Sequence, residues 1–222
     1  TVEYKKDASY RLFSPLLGME KILSLTTTKH DLQVGDRIII KIHAKTDVVS
    51  FVKTIGSIND PSIDVTAAIA EFDIQEKFSK KAIIEAKEYG STVTPEDKTG
   101  REDFTKLHCI TIDPDTAKDF DDAISLTQDD DGHYHLGVHI ADVAHYIHPD
   151  TALDADAYLR GNSTYFPGTV APMLPHELSS HLCSLKPNVT RLCASVLMDF
   201  DTNGNIYNYR ICRSYIKSKK RL

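Results

Sequence analysis

The chain contains no apolar run of the roughly 18 residues needed by a membrane-spanning helix, and no signal peptide opens it. Nothing in it therefore directs secretion or membrane insertion. Its four cysteines, Cys109, Cys183, Cys193 and Cys212, form no C-x-x-C pair, and three of them sit in apolar-flanked stretches. This pattern points to reduced, mostly buried thiols in a cytoplasmic protein and away from a disulfide framework. Internal repeats are absent, which excludes a repeat architecture. Positive charge is not in excess either: 26 Lys and Arg stand against 32 Asp and Glu, a net charge of −6. That excludes a chain coated in basic residues. It does not exclude nucleic acid, because a local groove decides binding and a carboxylate-rich metal site makes the total acidic. An initiator Met is missing, and the sequence stops inside the basic run IKSKKRL. Both ends are expected to be cuts in a longer polypeptide.

At 222 residues, 41% hydrophobic and 26% charged, the chain has length and apolar content for one large or two ordinary domains. Residues 10–13, the run RIIIKIH at 37–43, and VVSFVKTIGSI after Asp47 read as short strands separated by turns, with no room for crossover helices. They predict a small antiparallel barrel of the oligonucleotide-binding (OB) type. Ser62 is placed to cap a helix through Val65, Ala68 and Ile69, and residues 77–89 carry a second helix stopped by Gly90. The polar segment STVTPEDKTGRED, residues 91–103, reads as the linker. After it come strands at 107–112, 123–126 and 134–140, a helix over 151–160 stopped by Gly161, and a last hairpin, 193–200 with 206–216, turned at Asn203-Gly204. The expected class is α+β: a barrel over 1–75, helix and linker over 76–102, and a mixed α/β part over 103–222.

The chemistry concentrates in CITIDPDTAKDFDDAISL. Asp113, Asp115, Asp119, Asp121 and Asp122 crowd one strand-loop-strand connection, which is unfavourable unless a cation neutralises them. Oxygen-only ligands select a hard ion such as magnesium, and phosphoryl chemistry uses such ions on attacking and leaving oxygens. A solvated acidic loop is the plainer alternative, and Asp129, Asp130 and Asp131 are read that way. An EF-hand is rejected, since Lys118 stands where its sixth-position Gly belongs and Ile124 where its closing Glu belongs. Residue types alone leave the substrate open.

ITIDPDTAKDFDDAIS resembles the hallmark motif of the RNase II/RNase R exoribonucleases, the RNB family. The resemblance continues through HIADVAHYIHPDTALDADAYLRGNSTYFPG and VAPMLPHELSSHLCSLKPNVTRL, covering residues 103–222 strongly; residues 1–75 are more weakly similar to the second cold-shock domain of these enzymes. The bacterial RNase R branch is the nearer one. The resemblance implies magnesium-dependent hydrolysis of single-stranded RNA from its 3′ end, releasing nucleoside 5′-monophosphates. It assigns Asp113, Asp119, Asp121 and Asp122 to the metal and catalytic site, with Asp121 closest to catalysis, and Tyr165 to the 3′-terminal nucleotide. An aromatic suits that task because stacking grips any base. The family also implies a downstream catalytic segment, with a second aromatic clamp, an arginine and a glutamate, and an S1 barrel. Without them the chain is expected to bind magnesium weakly and degrade RNA poorly or not at all.

Other constellations carry less. His176 and His181 are five apart, about 140° around an α-helix, and so are rejected as a zinc pair. His133, His135 and His139 share strand parity, but no fourth ligand is evident. Asp142 is a candidate to line the site. Arg210, Arg213, Lys217, Lys219, Lys220 and Arg221 form an acid-free run, read either as a solvated face or as part of an RNA-facing groove. On the barrel, Lys41, Lys45 and Lys53 are candidate phosphate contacts, and Phe13 or Phe51 candidate base stackers. The expected partner is single-stranded RNA, with no membrane and a monomeric state. The rival readings are a non-catalytic RNA-binding module and a calcium-stabilised interaction protein.

Overall fold

The structure, a computed structural model, describes residues 1–18, 21–26, 29–43 and 48–222. Lys45 and Asp47 lie outside the described residues. Two compact units are present: Thr1–Glu76 with Tyr165–Ala171, and Lys77–Thr164 with Pro172–Leu222.

In the first unit, β1 (Val2–Lys6), β2 (Ser9–Leu12) and β3 (Leu23–Thr26) form one antiparallel sheet, and β4 (Asp36–His43) with β5 (Val48–Ser57) forms another. Alternation drives this packing. Tyr10, Leu12, Leu23 and Leu25 point inward with Val2 and Leu32, and Ile38, Ile40, Val49 and Phe51 close on them from the second sheet. A three-stranded and a two-stranded antiparallel sheet thus close on one core, in the part where the OB-type barrel is expected. Phe51 serves that core, its ring 4.1 Å from His30, so it is packing rather than a free stacking platform. Lys41 and Lys53 are exposed. α1 (Asp64–Glu71) follows a turn opened by Asp60, not Ser62: the Asp60 carboxylate accepts the Ser62 N–H at 2.9 Å, and Pro61 presets the next φ.

The second unit begins with α2 (Lys80–Glu88), whose start is set by Ser79, the Oγ of which accepts the Ala82 N–H at 3.1 Å. A seven-stranded sheet follows, built from β6 (Glu102–Phe104), β7 (Cys109–Thr111), β8 (Asp122–Gln128), β9 (Tyr134–Ala141), β12 (Thr190–Phe200), β13 (Ile206–Lys217) and β14 (Lys220–Arg221). Its order is β14-β7-β8-β9-β12-β13-β6, with parallel pairing only at β14/β7 and β13/β6. Between β9 and β12 run α3 (Ala152–Arg160), the short strands β10 (Thr164–Phe166) and β11 (Thr169–Ala171), and a π-turn at Leu178–Leu182. Ala82 and Ala86 of α2, Leu153 and Ala157 of α3, and Leu178, Leu182 and Leu185 pack on one face of the sheet with Cys109, Ala123, Ala141 and Cys193. The alternate residues Ile110, Ile124, Val138, Val196 and Ile211 are in register across the other face and belong to neither core.

The segment 91–103, read as a linker, falls inside this unit. Most of it is exposed, but it is pinned at Arg101, whose side chain is 2% exposed, meets Asp142 at 2.5 Å and donates to the carbonyls of Cys193 and Ser214.

A line of polar side chains crosses the buried face. Ser125 Oγ lies 3.0 Å from His139 Nε2, His139 Nδ1 lies 2.7 Å from Ser195 Oγ, and Ser195 Oγ lies 2.6 Å from Ser214 Oγ. Gly137 makes room for it, because a Cβ there would stand 2.5 Å from Ser125 Oγ and 2.7 Å from His139 Nε2. Gly137→Ala is therefore expected to destabilise by about 2 kcal/mol, read from the urea midpoint at constant slope. An unchanged midpoint would contradict this steric role. Burial holds His139 down to about 4, so it is neutral in the fold at pH 7. The unfolded chain gains this proton near pH 6.5 while the folded one refuses it until about 4. Stability supplied by neutral His139 is complete above pH 6.5 and lost as pH falls toward 4, by up to about 3 kcal/mol. Urea titrations at pH 7 and pH 5 should show the loss, and His139→Asn should flatten it.

Candidate active site

The connection from β7 to β8 carries the carboxylates, and its backbone is tied at several points. The Asp113 N–H donates to the Leu222 carbonyl at 3.1 Å, and the Asp121 carbonyl accepts the Ala141 N–H at 2.9 Å. Phe120 is buried, which turns the stretch inward between Asp119 and Asp121. Its N–H donates to Ser184 Oγ at 3.1 Å, the same hydroxyl donates to the Lys118 carbonyl at 3.0 Å, and the Leu185 N–H donates to the Phe120 carbonyl at 2.8 Å. Arg221 holds the first half, with 2.6 Å to the Asp115 carboxylate and longer bonds to the Pro114 and Asp115 carbonyls.

These ties bring Asp113, Asp119, Asp121 and Asp122 together electrostatically. Partial burial of its carboxyl, then the charges of Asp119, Asp122 and Asp113, raise the Asp121 pKa above the usual carboxylate value. Asp113 Oδ2 is buried without a hydrogen-bond partner. Repelling carboxylates with an orphaned, buried oxygen suit a hard cation, and in that sense the residues fit magnesium. Their oxygens do not converge into a tight triad. Among the described residues, the one group with ligand atoms all within 4.8 Å is Asp129, Asp131 and His133 in the β8–β9 turn. Asp115 is committed to Arg221 and stands apart from the other four in role.

Tyr165 lies on β10, is 65% exposed, and belongs to the residues of the first unit, whereas the four aspartates all belong to the second. Asp142 is structural: burial alone would raise its carboxyl, but Arg101 and Arg213 outweigh that and hold it low. His139 is in the core, so the three histidines do not share a site; His135 instead sits between Asp199 and Asp129, which raise it. His176 pairs with Ser180 Oγ at 3.2 Å, in a segment that continues as a π-turn rather than the α-helix assumed for its spacing. The basic run is largely paired: Arg210 with Glu102, Arg213 with Asp142 and Arg221 with Asp115, while Lys219 donates to the Thr105 carbonyl. A cavity of about 930 Å³ is lined mostly by apolar residues of the first unit, including Leu12, Ile38, Ile40 and Ala68, with Glu3, Arg37, Asp64 and Glu71 among them, and includes none of the aspartates of the β7–β8 connection. All four cysteines are free thiols; burial raises Cys109 to about 11 and Cys183 to about 12, which makes them inert packing groups. No described helix is long and apolar enough to cross a membrane.

Nothing in the sequence reveals that Ser184, Arg191 and Arg221 order the connection; Arg221 was visible only as a member of the basic run. Their roles come only from their partners, which lie elsewhere in the chain.

Residues 101–222 match the RNB domain family. The chain is 44% identical over 228 aligned residues to a Ribonuclease R of Chlamydia muridarum, covering 95% of this chain and 33% of that protein. The structure is similar to Mycoplasma genitalium RNase R in complex with ribose methylated single-stranded RNA, with TM-score 0.75, 32% identity, and 86% of this chain and 31% of that one covered. It also resembles yeast Ssd1, a pseudonuclease, with TM-score 0.66 and 21% identity over 78% of this chain and 22% of that one, a likeness of fold alone. The chain thus spans about a third of the length of the relatives it matches.

Proposed function

The chain belongs to the RNB domain family, and from that premise we propose that it is part of a magnesium-dependent exoribonuclease hydrolysing single-stranded RNA from the 3′ end to nucleoside 5′-monophosphates. The observation that carries the proposal is the β7–β8 connection, where partial burial and three neighbouring aspartates raise the fourth and one buried carboxylate oxygen has no partner. A family fold is not enough by itself, since the pseudonuclease Ssd1 has a similar one.

Asp113, Asp119, Asp121 and Asp122 would hold the metal, directly or through water. Bound there, magnesium would supply the Lewis acidity that phosphodiester hydrolysis requires. Asp121, which the family motif places nearest to catalysis, is the residue to orient the attacking water. Tyr165, exposed on β10, would stack on the 3′-terminal base. The remaining two thirds of such a polypeptide would supply the rest of the site, so activity is expected of the intact polypeptide and little of these 222 residues alone.

The test is a 5′-labelled single-stranded RNA incubated with the intact polypeptide and magnesium. A ladder shortening from the 3′ end, absent in EDTA, is expected. RNA binding without product, unaffected by Asp121→Asn, would instead identify a non-catalytic RNA-binding module.

A further inference from the structure

We propose that Ser184 is a positioning residue for the aspartate site, acting through the peptide groups that flank Asp119 and precede Asp121; this rests on the metal-site reading above. Ser184 is fully buried and uses its hydroxyl in both directions, accepting from Phe120 N–H at 3.1 Å and donating to the Lys118 carbonyl at 3.0 Å. The next residue continues the grip, with the Leu185 N–H on the Phe120 carbonyl at 2.8 Å. Ser184 is itself held: buried Arg191 donates from Nε to the Ser184 carbonyl at 3.0 Å and from Nη1 to the Thr190 carbonyl at 2.9 Å. On the far side the Asp121 carbonyl accepts Ala141 N–H. Residues 118–121 therefore run between two anchors, one of them a single hydroxyl from 64 positions beyond Phe120.

The need for such a clamp follows from charge. Asp121 is already pushed by Asp113, Asp119 and Asp122, and an unheld connection would relax by spreading them apart. A clamp on the backbone limits that spreading without using any carboxylate oxygen as a structural ligand. Groups that orient metal ligands in this way typically change affinity by about 10- to 100-fold when removed. The hydroxyl is suited to the place because it is small and can accept and donate at once.

The test is manganese binding to the intact polypeptide, followed by the loss of free-ion electron paramagnetic resonance signal. Ser184→Ala is expected to weaken binding about tenfold or more. Ser184→Cys fills similar space but hydrogen-bonds weakly, and is expected to lose affinity as well. Leu153→Ala, in the core under α3, serves as the comparison: it should lower the melting temperature at least as far while keeping the parent affinity. Parent affinity in both Ser184 variants, or equal losses in Leu153→Ala, would overturn the positioning role and leave the metal site standing. Equal manganese binding by the parent and Asp121→Asn would overturn the metal-site reading and this inference with it.

Discussion

Asp121→Asn is expected to cut release of mononucleotides by the intact polypeptide about 10³-fold, with single-stranded RNA still bound within a few-fold of the parent affinity. The two halves of this expectation have different physical origins. Hydrolysis depends on charge placed where the phosphodiester reacts, and the substitution removes one of four such charges while keeping the shape. Binding depends on contacts spread along the RNA and is little affected by one amide. The stability change has a definite sign as well. Asp121 is raised by partial burial and by Asp119, Asp122 and Asp113, so its ionised form is disfavoured in the fold. Neutralising it removes repulsion, and the melting temperature should stay level or rise. A lower melting temperature together with lost binding would mark Asp121 as structural.

The second large effect is on folding. Asp142→Ala is expected to destabilise by about 4 kcal/mol, because it strands the Arg101 guanidinium, 2% exposed, without its carboxylate. For a chain of this size that corresponds to a fall in melting temperature of roughly 10 °C. Arg213→Ala tests the same carboxylate from its wet side. Arg213 is 62% exposed and its bond to Asp142 is 3.3 Å, so under about 1 kcal/mol is expected. Comparable losses in the two variants would show that burial of Arg101 is not what makes the pair matter.

Asp142 also shows where sequence reading stops. In HIAD it stands among residues of a catalytic motif, and nothing in its neighbours along the chain reveals Arg101, 41 positions earlier. The strands β2, β4 and β5 and the hairpin β12–β13 were legible because alternating apolar residues and turn glycines act locally; Gly132 and Gly204 adopt the positive φ their turns require. Helix α2 was legible for the same reason, although Ser79 rather than Lys77 sets its start. The strands β1 and β3 were missed, since their apolar content, at Val2, Leu23 and Leu25, is too sparse to announce a core. The crowding of aspartates was visible as composition within one loop. What holds that loop was not, because Ser184, Leu185, Ala141, Leu222 and Arg221 come from distant parts of the chain. Tyr165 owes its assignment to the motif STYFPG; its exposure on β10 is compatible with stacking on a base.

The central claim is that these four aspartates serve metal-dependent hydrolysis from an RNA 3′ end. The most direct test is chromatographic identification of what the intact polypeptide releases first from single-stranded RNA labelled in its last phosphodiester. The account predicts labelled nucleoside 5′-monophosphate in magnesium, none in EDTA, and about 10³-fold less with Asp121→Asn. Internal fragments, nucleoside 3′-phosphates, or release at the same rate without a divalent ion would contradict it.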